Sequence, residues 1–97
     1  MEIITLSGKI HGDCESRKDK NGNTYIRFKV VCTSKDFAGK DKYTAYRCYC
    51  YDTSFNDLKT GDIVFLSGDQ KIDYRSDNTS KQWINIDVYV KNITRGN

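Results

Sequence analysis

Residues 43–51, YTAYRCYCY, place four tyrosines, two cysteines and an arginine within nine positions. Successive side chains of a β-strand point to opposite faces, so a strand here would separate the thiols from most of the aromatic rings. One face would carry Cys48 and Cys50, and the other would carry Tyr43, Arg47, Tyr49 and Tyr51. The chemistry to be weighed is therefore metal binding or disulfide formation at the thiols, and stacking of flat ligands on the tyrosines.

The thiols give little support for a metal site or a disulfide. Structural zinc sites usually take cysteines spaced C-x2–4-C, whereas Cys48 and Cys50 are separated by one residue, or about 6.5–7 Å along a strand. We therefore expect no metal site, with Cys32, Cys48 and Cys50 as small apolar residues of the core. The H-x-x-C pair of His11 and Cys14 leaves zinc as an alternative.

The residue types needed for catalysis are sparse. The chain has one histidine, in a turn rich in glycine and aspartate, and its thirteen acidic residues are scattered. No G-x-S-x-G motif and no phosphate-cradling glycine loop occurs. We expect neither an enzyme nor a bound cofactor.

The composition is typical of one small globular domain, which we expect to span residues 1–97. Aromatic residues make up 12% of the chain and charged residues 30%, with a net charge of +3 and a pI near 8.7. This mildly basic balance permits a nucleic-acid partner without proving one. Since the sequence shows neither a secretory signal nor an apolar run of transmembrane length, we expect no membrane partner and a cytoplasmic protein with reduced thiols.

Alternation of apolar and polar residues with period two predicts five strands. They lie at residues 3–10, 24–32, 43–51, 62–68 (extending to residue 74) and 83–90. The second strand would direct Tyr25, Arg27 and Lys29 outward, beside the outer face of the third. Such a platform of tyrosines and cations suits a nucleic acid, because rings stack on bases and cations pair with phosphates.

The segments between the strands have distinct compositions. KNGN at 20–23 predicts a turn, residues 34–42 a long basic loop, and residues 76–81 a polar loop. Only residues 52–62 look helical, for a turn or two, with Asp52 or Thr53 as the cap and Gly61 at the C-terminal end. The order of elements is β-β-β-α-β-β. A five-stranded sheet this short must either close on itself or expose long strand edges. We therefore predict an all-β protein with the OB-fold, a five-stranded Greek-key barrel with one short helix between the third and fourth strands.

The sequence also resembles a family, the bacterial-type single-stranded DNA-binding proteins. The resemblance rests on four stretches: ITLSGKIHGD, NGNTYIRFKVVCTSKD, CYCYDTSFNDLKTGDIVFLSG and DYRSDNTSKQWINIDVYVKNI. Together they span about residues 3–93, in the family's order and spacing. The resemblance implies sequence-independent binding and protection of single-stranded DNA in replication, recombination or repair.

The resemblance carries base-stacking roles to Phe37, Tyr51 and Tyr74 by position. The predicted outer faces add tyrosines and cations, and the two loops add further basic and aromatic residues. The full set of predicted nucleic-acid-binding residues is Tyr25, Arg27, Lys29, Phe37, Lys40, Lys42, Tyr43, Arg47, Tyr49, Tyr51, Tyr74, Arg75 and Trp83.

The sequence departs from the family pattern at its C-terminus, where TRGN stands in place of a linker and an acidic tip. Because that tip recruits partner enzymes in the family, we expect either a compact phage or mobile-element version that works without it, or a protein whose tail is missing from this sequence. The resemblance implies a homo-oligomer, a dimer or a tetramer. Two alternatives stay open: an RNA-binding OB module, and a protein-interaction barrel of the replisome or primosome whose aromatic face meets another protein.

Overall fold

A computed structural model describes residues 2–35, 37–76 and 82–96, and of residues 73–76 and 82–85 the backbone only. The elements are strands β1 (Glu2–Ile10), β2 (Glu15–Lys18), β3 (Thr24–Lys35), β4 (Asp41–Cys50), β5 (Ile63–Ser76) and β6 (Gln82–Arg95), and one 3-10 turn (Thr53–Phe55). The predicted all-β class is confirmed. Across the described residues, no helix has the length and apolarity needed to cross a bilayer.

Five of these strands close into a barrel. The sheet runs β1-β5-β6-β4-β3, and a second pairing of β1 with β3, at Lys9↔Val31 and Ile10↔Val30, joins its ends. All pairings are antiparallel except β4 with β6, which run parallel. This is the topology of the OB-fold, so the predicted fold is confirmed.

Two glycines permit the close approaches on which closure depends. A Cβ on Gly8, where β1 turns from β5 towards β3, would lie 2.6 Å from the carbonyl oxygen of Val31. A Cβ on Gly68 would lie 2.2 Å from the carbonyl oxygen of Tyr89, at the register shift between Ser67 and Gly68. Real side chains do not tolerate such distances, so β5 and β6 can meet here only through glycine.

The barrel interior is filled by the inward residues of the strands, as the alternation predicted. Ile26, Phe28 and Val30 of β3 are buried, and Cys48 and Cys50 of β4 are buried as predicted. Among the side chains that the structure describes, the other buried apolar residues are Leu6, Ile10, Leu58, Val64, Leu66 and Val88. Because every second residue faces inward, the intervening residues of the same strands form an outer face.

The sequence prediction differs from the structure in several elements, and the last strand continues to Arg95 instead of ending at residue 90. It missed the short strand β2, and it assigned to a long loop residues 34–35 and 41–42, which continue β3 and begin β4. The predicted helix is a single 3-10 turn whose N-cap is Asp52, with Oδ1 accepting a hydrogen bond from the Ser54 amide at 3.1 Å. Gly61, with φ +95°, lies six residues beyond Phe55, the last residue of that turn, and ends no helix.

Candidate nucleic-acid interface

The strand registers arrange the outer face in rows that cross several strands. Arg27 of β3 lies opposite Tyr49 of β4, which in turn lies opposite Tyr89 of β6. In the next row, Lys29 lies opposite Arg47, which lies opposite Asp87. Aromatic and charged rows therefore adjoin on one continuous surface, as the alternation of β3 and β4 predicted.

Four tyrosines in this face form a chain of ring contacts, here called the tyrosine ladder: Tyr51, Tyr25, Tyr49 and Tyr89. The ring centroids of Tyr25 lie 5.7 Å from Tyr51 and 6.0 Å from Tyr49, both tilted by just over 50°. Tyr49 and Tyr89 are stacked, with centroids 5.4 Å apart and planes 21° apart. With Asp19, these rings line a cleft of about 290 Å³. Tyr51 and Tyr89 are exposed, and Tyr25 and Tyr49 are half-buried. The ring faces that remain free can stack on nucleic-acid bases irrespective of sequence.

The outer end of the ladder is fixed by a hydrogen bond that Tyr51 donates to the β2–β3 turn. The hydroxyl of Tyr51 donates to Oδ2 of Asp19 at 2.9 Å, while Oδ1 accepts from the amides of Asn21 and Asn23. The bond to the carboxylate raises the pKa of Tyr51, and the backbone amide of Asn23, together with that hydroxyl, lowers the pKa of Asp19. The exposed Tyr51 ring is thereby held in one orientation.

The arginines of the face are paired with carboxylates. Arg27 donates to Oε2 of Glu15 at 2.9 Å, and Arg17 donates to the same oxygen at 2.8 Å. Arg47 donates from Nε to Oδ1 of Asp87 at 2.8 Å. The hydrogen bond from Arg17 and the charge of Arg27 lower the pKa of Glu15. The predicted phosphate-binding arginines thus lie on the outer face, but carboxylates hold them.

A second, polar hollow adjoins the ladder. It has a volume of about 350 Å³, and its lining includes Arg27, Lys29 and Arg47 together with His11 and Glu15. The structure therefore brings together the three cations that the sequence predicted as phosphate contacts. An anionic group seated here would lie directly beside Tyr49, since Arg27 is the register partner of that residue.

Tyr43 does not join the ladder. It precedes Tyr49 by six residues, or about 20 Å along a strand, and it lines a separate groove of about 590 Å³ with Val31, Ile63 and Phe65. Lys42 pairs with Ser34 at the same end of β4. The strong twist and closure of the barrel explain the separation, because one face of a long strand turns towards different directions along its length.

The remaining predicted residues lie in connections or beyond the described side chains. Phe37 and Lys40 lie in the connection between β3 and β4, with Phe37 fully exposed. The backbones of the other three predicted residues, Tyr74, Arg75 and Trp83, take part in the antiparallel pairing of β5 with β6, where Arg75 lies opposite Trp83. Their side chains lie outside the described part of the structure, so their predicted contacts stay predictions.

Sequence reasoning missed Tyr89 and Arg17 as site residues. Tyr89 alternates with the apolar residues Val88 and Val90 in the last predicted strand, but only the parallel register of β6 on β4 shows that it reaches Tyr49. Arg17 lies on β2, opposite Tyr25. The KNGN turn was the available signal for it, because a hairpin closed there places residues 15–18 against the start of β3.

The thiols are free, and among the described residues no group of three or more His, Cys, Asp or Glu side chains converges on a metal-sized site. Cys14 is half-buried and its Sγ lies 3.9 Å from the carbonyl oxygen of Phe55. Burial, followed by the neighbouring thiols and Asp87, raises the pKa of Cys48 to about 12. Such a thiol stays protonated at neutral pH and behaves as an apolar core residue.

No family model matches the sequence, and no curated protein matches it significantly. Among solved structures, it is similar to a small single-stranded DNA-binding protein from Streptomyces coelicolor (TM-score 0.73, 19% identity, 97% of this chain and 93% of that one). It is also similar to the Plasmodium falciparum SSB in complex with single-stranded DNA (0.74, 16%, 100% and 96%). A third is a mitochondrial single-stranded DNA-binding protein from S. cerevisiae (0.65, 11%, 98% and 94%). At these identities the similarity establishes the shared fold.

Proposed function

We propose that this chain binds single-stranded DNA with little sequence preference. The observation that carries the proposal is the tyrosine ladder on the outer face of an OB barrel, bordered by the cations of the polar hollow. Every base has a flat face, so stacking on Tyr25, Tyr49, Tyr51 and Tyr89 accommodates any sequence. The fold is shared with proteins described as single-stranded DNA-binding, one of them in complex with its ligand, which supports the proposal.

The duplex is disfavoured by the same mechanism. Bases paired and stacked inside a helix have no free face to offer, so a stacking platform selects strands whose bases are already unstacked. The biological role that follows is the coating of exposed single strands during replication, recombination or repair, by a protein that acts as a homo-oligomer. Single-stranded RNA is the second candidate ligand, because stacking does not distinguish the two sugars.

The test is a fluorescence anisotropy titration of the protein with labelled oligo(dT), oligo(U) and duplex DNA at about 50 and 200 mM salt. We expect tight binding to oligo(dT), much weaker binding to duplex, and lower affinity at the higher salt concentration. The Tyr49→Ala/Tyr51→Ala double variant should lose binding, while the Tyr49→Phe/Tyr51→Phe control keeps the rings and most of the affinity.

Two outcomes would count against the proposal. Equal affinity for duplex and single strand would indicate binding through phosphates alone, without the ladder. An absence of binding to every single strand at low salt would reject nucleic-acid binding altogether, and the aromatic face would then be that of a protein-interaction barrel.

A further inference from the structure

Glu15 binds two arginines through a single oxygen. Its Oε2 accepts hydrogen bonds from Nη2 of Arg17 at 2.8 Å, from Nε of Arg17 at 3.1 Å, and from Nη2 of Arg27 at 2.9 Å. The two guanidinium groups come from neighbouring strands, since Arg17 lies on β2 and Arg27 on β3. They converge on one anionic oxygen at the surface.

This arrangement has the chemistry of a phosphate-binding site. Guanidinium groups present N–H donors in a planar fork that matches the oxygens of a phosphate as well as those of a carboxylate. The two arginines also lie close to the rings on which the proposed ligand would stack. Arg17 lies opposite Tyr25 and Arg27 lies opposite Tyr49, so the two cations border the rings on which bases would stack. In a nucleic acid, each stacked base is linked to its neighbour through a phosphate.

We propose that Arg17 and Arg27 form a clamp for a backbone phosphate of the bound strand, and that Glu15 occupies this clamp in the free protein. The inference rests on the proposed function. When a strand stacks on the ladder, its phosphate replaces the Glu15 carboxylate, which swings into solvent. Glu15 is thus an internal competitor that lowers the affinity of the face for nucleic acid.

The exposure of the two carboxylates of the face separates their roles. The Glu15 side chain is 50% exposed, so it can leave the arginines and become hydrated without disturbing the strand. The Asp87 side chain is 16% exposed, so its movement into water is restricted. Asp87 therefore positions Arg47, whereas Glu15 is free to exchange.

The test compares Glu15→Gln with Glu2→Gln. Both substitutions remove one negative charge, but Glu2 is on β1 and its partner is the side chain of Gln70. Because exposed ion pairs are weak, we expect Glu15→Gln to bind oligo(dT) about two to five times more tightly than Glu2→Gln at 50 mM salt. Adding Arg17→Ala to Glu15→Gln should abolish this gain.

Salt provides a second readout. We expect phosphate to occupy the clamp more completely in the Glu15→Gln variant than in the wild-type protein. The slope of log K against log salt should then steepen by up to about 0.7 for each additional phosphate of the single strand that is bound. Equal affinity of Glu15→Gln and Glu2→Gln, or weaker binding by Glu15→Gln, would overturn the clamp while the proposed function stands. If the wild-type protein binds no strand, the proposed function fails and the clamp fails with it.

Discussion

Two exposed tyrosines differ sharply in the surroundings that the structure gives them. Tyr89 is 47% exposed and stacks on Tyr49 at the inner end of the tyrosine ladder. Tyr43 is 69% exposed but lies at the far end of β4, beside the groove of Val31 and Phe65. We predict that Tyr89→Ala weakens binding of oligo(dT), whereas Tyr43→Ala, the matched control, changes it by less than twofold.

The magnitude follows from the ring geometry. One face of the Tyr89 ring is covered by Tyr49, with the planes only 21° apart, which leaves a single face for one base. Stacking of one base on an aromatic ring contributes about 1–3 kcal/mol, which corresponds to roughly five- to 150-fold in Kd. Because half of the ring is already covered, the lower part of this range applies, and we expect a loss of about five- to 30-fold.

The assay is anisotropy of labelled oligo(dT) at about 50 mM salt, where phosphate contacts keep the weakened variant within range. Loss of the Tyr49–Tyr89 ring pair also costs about 0.5–1.5 kcal/mol of folding stability, so thermal unfolding must show that Tyr89→Ala is folded at the assay temperature. Tyr89→Phe keeps the ring and should bind like the wild-type protein.

The result that refutes this reasoning is a loss for Tyr43→Ala equal to or greater than that for Tyr89→Ala. It would mean that the strand follows the groove beside Tyr43 and that the ladder is merely a packed surface. Similar small losses for both variants would show that bases do not stack on this end of the face.

Two further predictions concern stability. Gly68→Ala should lower the free energy of unfolding by about 1–3 kcal/mol, and Tm by roughly 4–24 °C, because its Cβ would meet the backbone of Tyr89. Ser67→Ala is the neighbouring control. An unchanged Tm of Gly68→Ala would contradict the close approach. Cys48, whose pKa burial raises to about 12 from 9.0, favours the folded state fully below about pH 9, and this contribution is lost as pH rises towards 12. Between pH 8 and 10.5 the wild-type protein should therefore lose about 2 kcal/mol more stability in urea unfolding than Cys48→Ala, and equal losses would exclude the effect.

The sequence predicted the fold well because alternation with period two is a direct consequence of strand geometry. Phe28, Val30 and Cys48 were correctly assigned to the core because they stand at alternate positions. Cys32 was also predicted there, but it is only partly buried. The short strand β2 was missed because Glu15–Lys18 is polar throughout, with every residue exposed, so it has no apolar period to detect. The length of the helix predicted within residues 52–62 was overestimated, because an aspartate such as Asp52 caps a short 3-10 turn as well as it caps a helix.

The candidate interface was predicted less completely, because its members come together through strand registers. The alternation of β3 and β4 correctly grouped Tyr25, Tyr49 and Arg47 on one outer face. The contact of Tyr89 with Tyr49 depends on the parallel pairing of β6 with β4, and no local pattern in the sequence reports which residues of two distant strands lie opposite each other. For the same reason, the alternation grouped Tyr43 with Tyr49 and Tyr51, although the twist of the barrel separates it from them.

Stacking rather than charge should carry most of the binding energy of this face. The whole chain has a net charge of only +3, and the arginines of the outer face are already paired with Glu15 and Asp87. A phosphate that replaces a carboxylate gains only the difference between two similar interactions, whereas a base that stacks on an exposed tyrosine replaces contact with water. Affinity would then depend on the ladder, and the cations would mainly set the path of the strand and the response to salt. The paired carboxylates also make this face less attractive to duplex DNA, whose dense phosphates would otherwise bind any unpaired cluster of arginines.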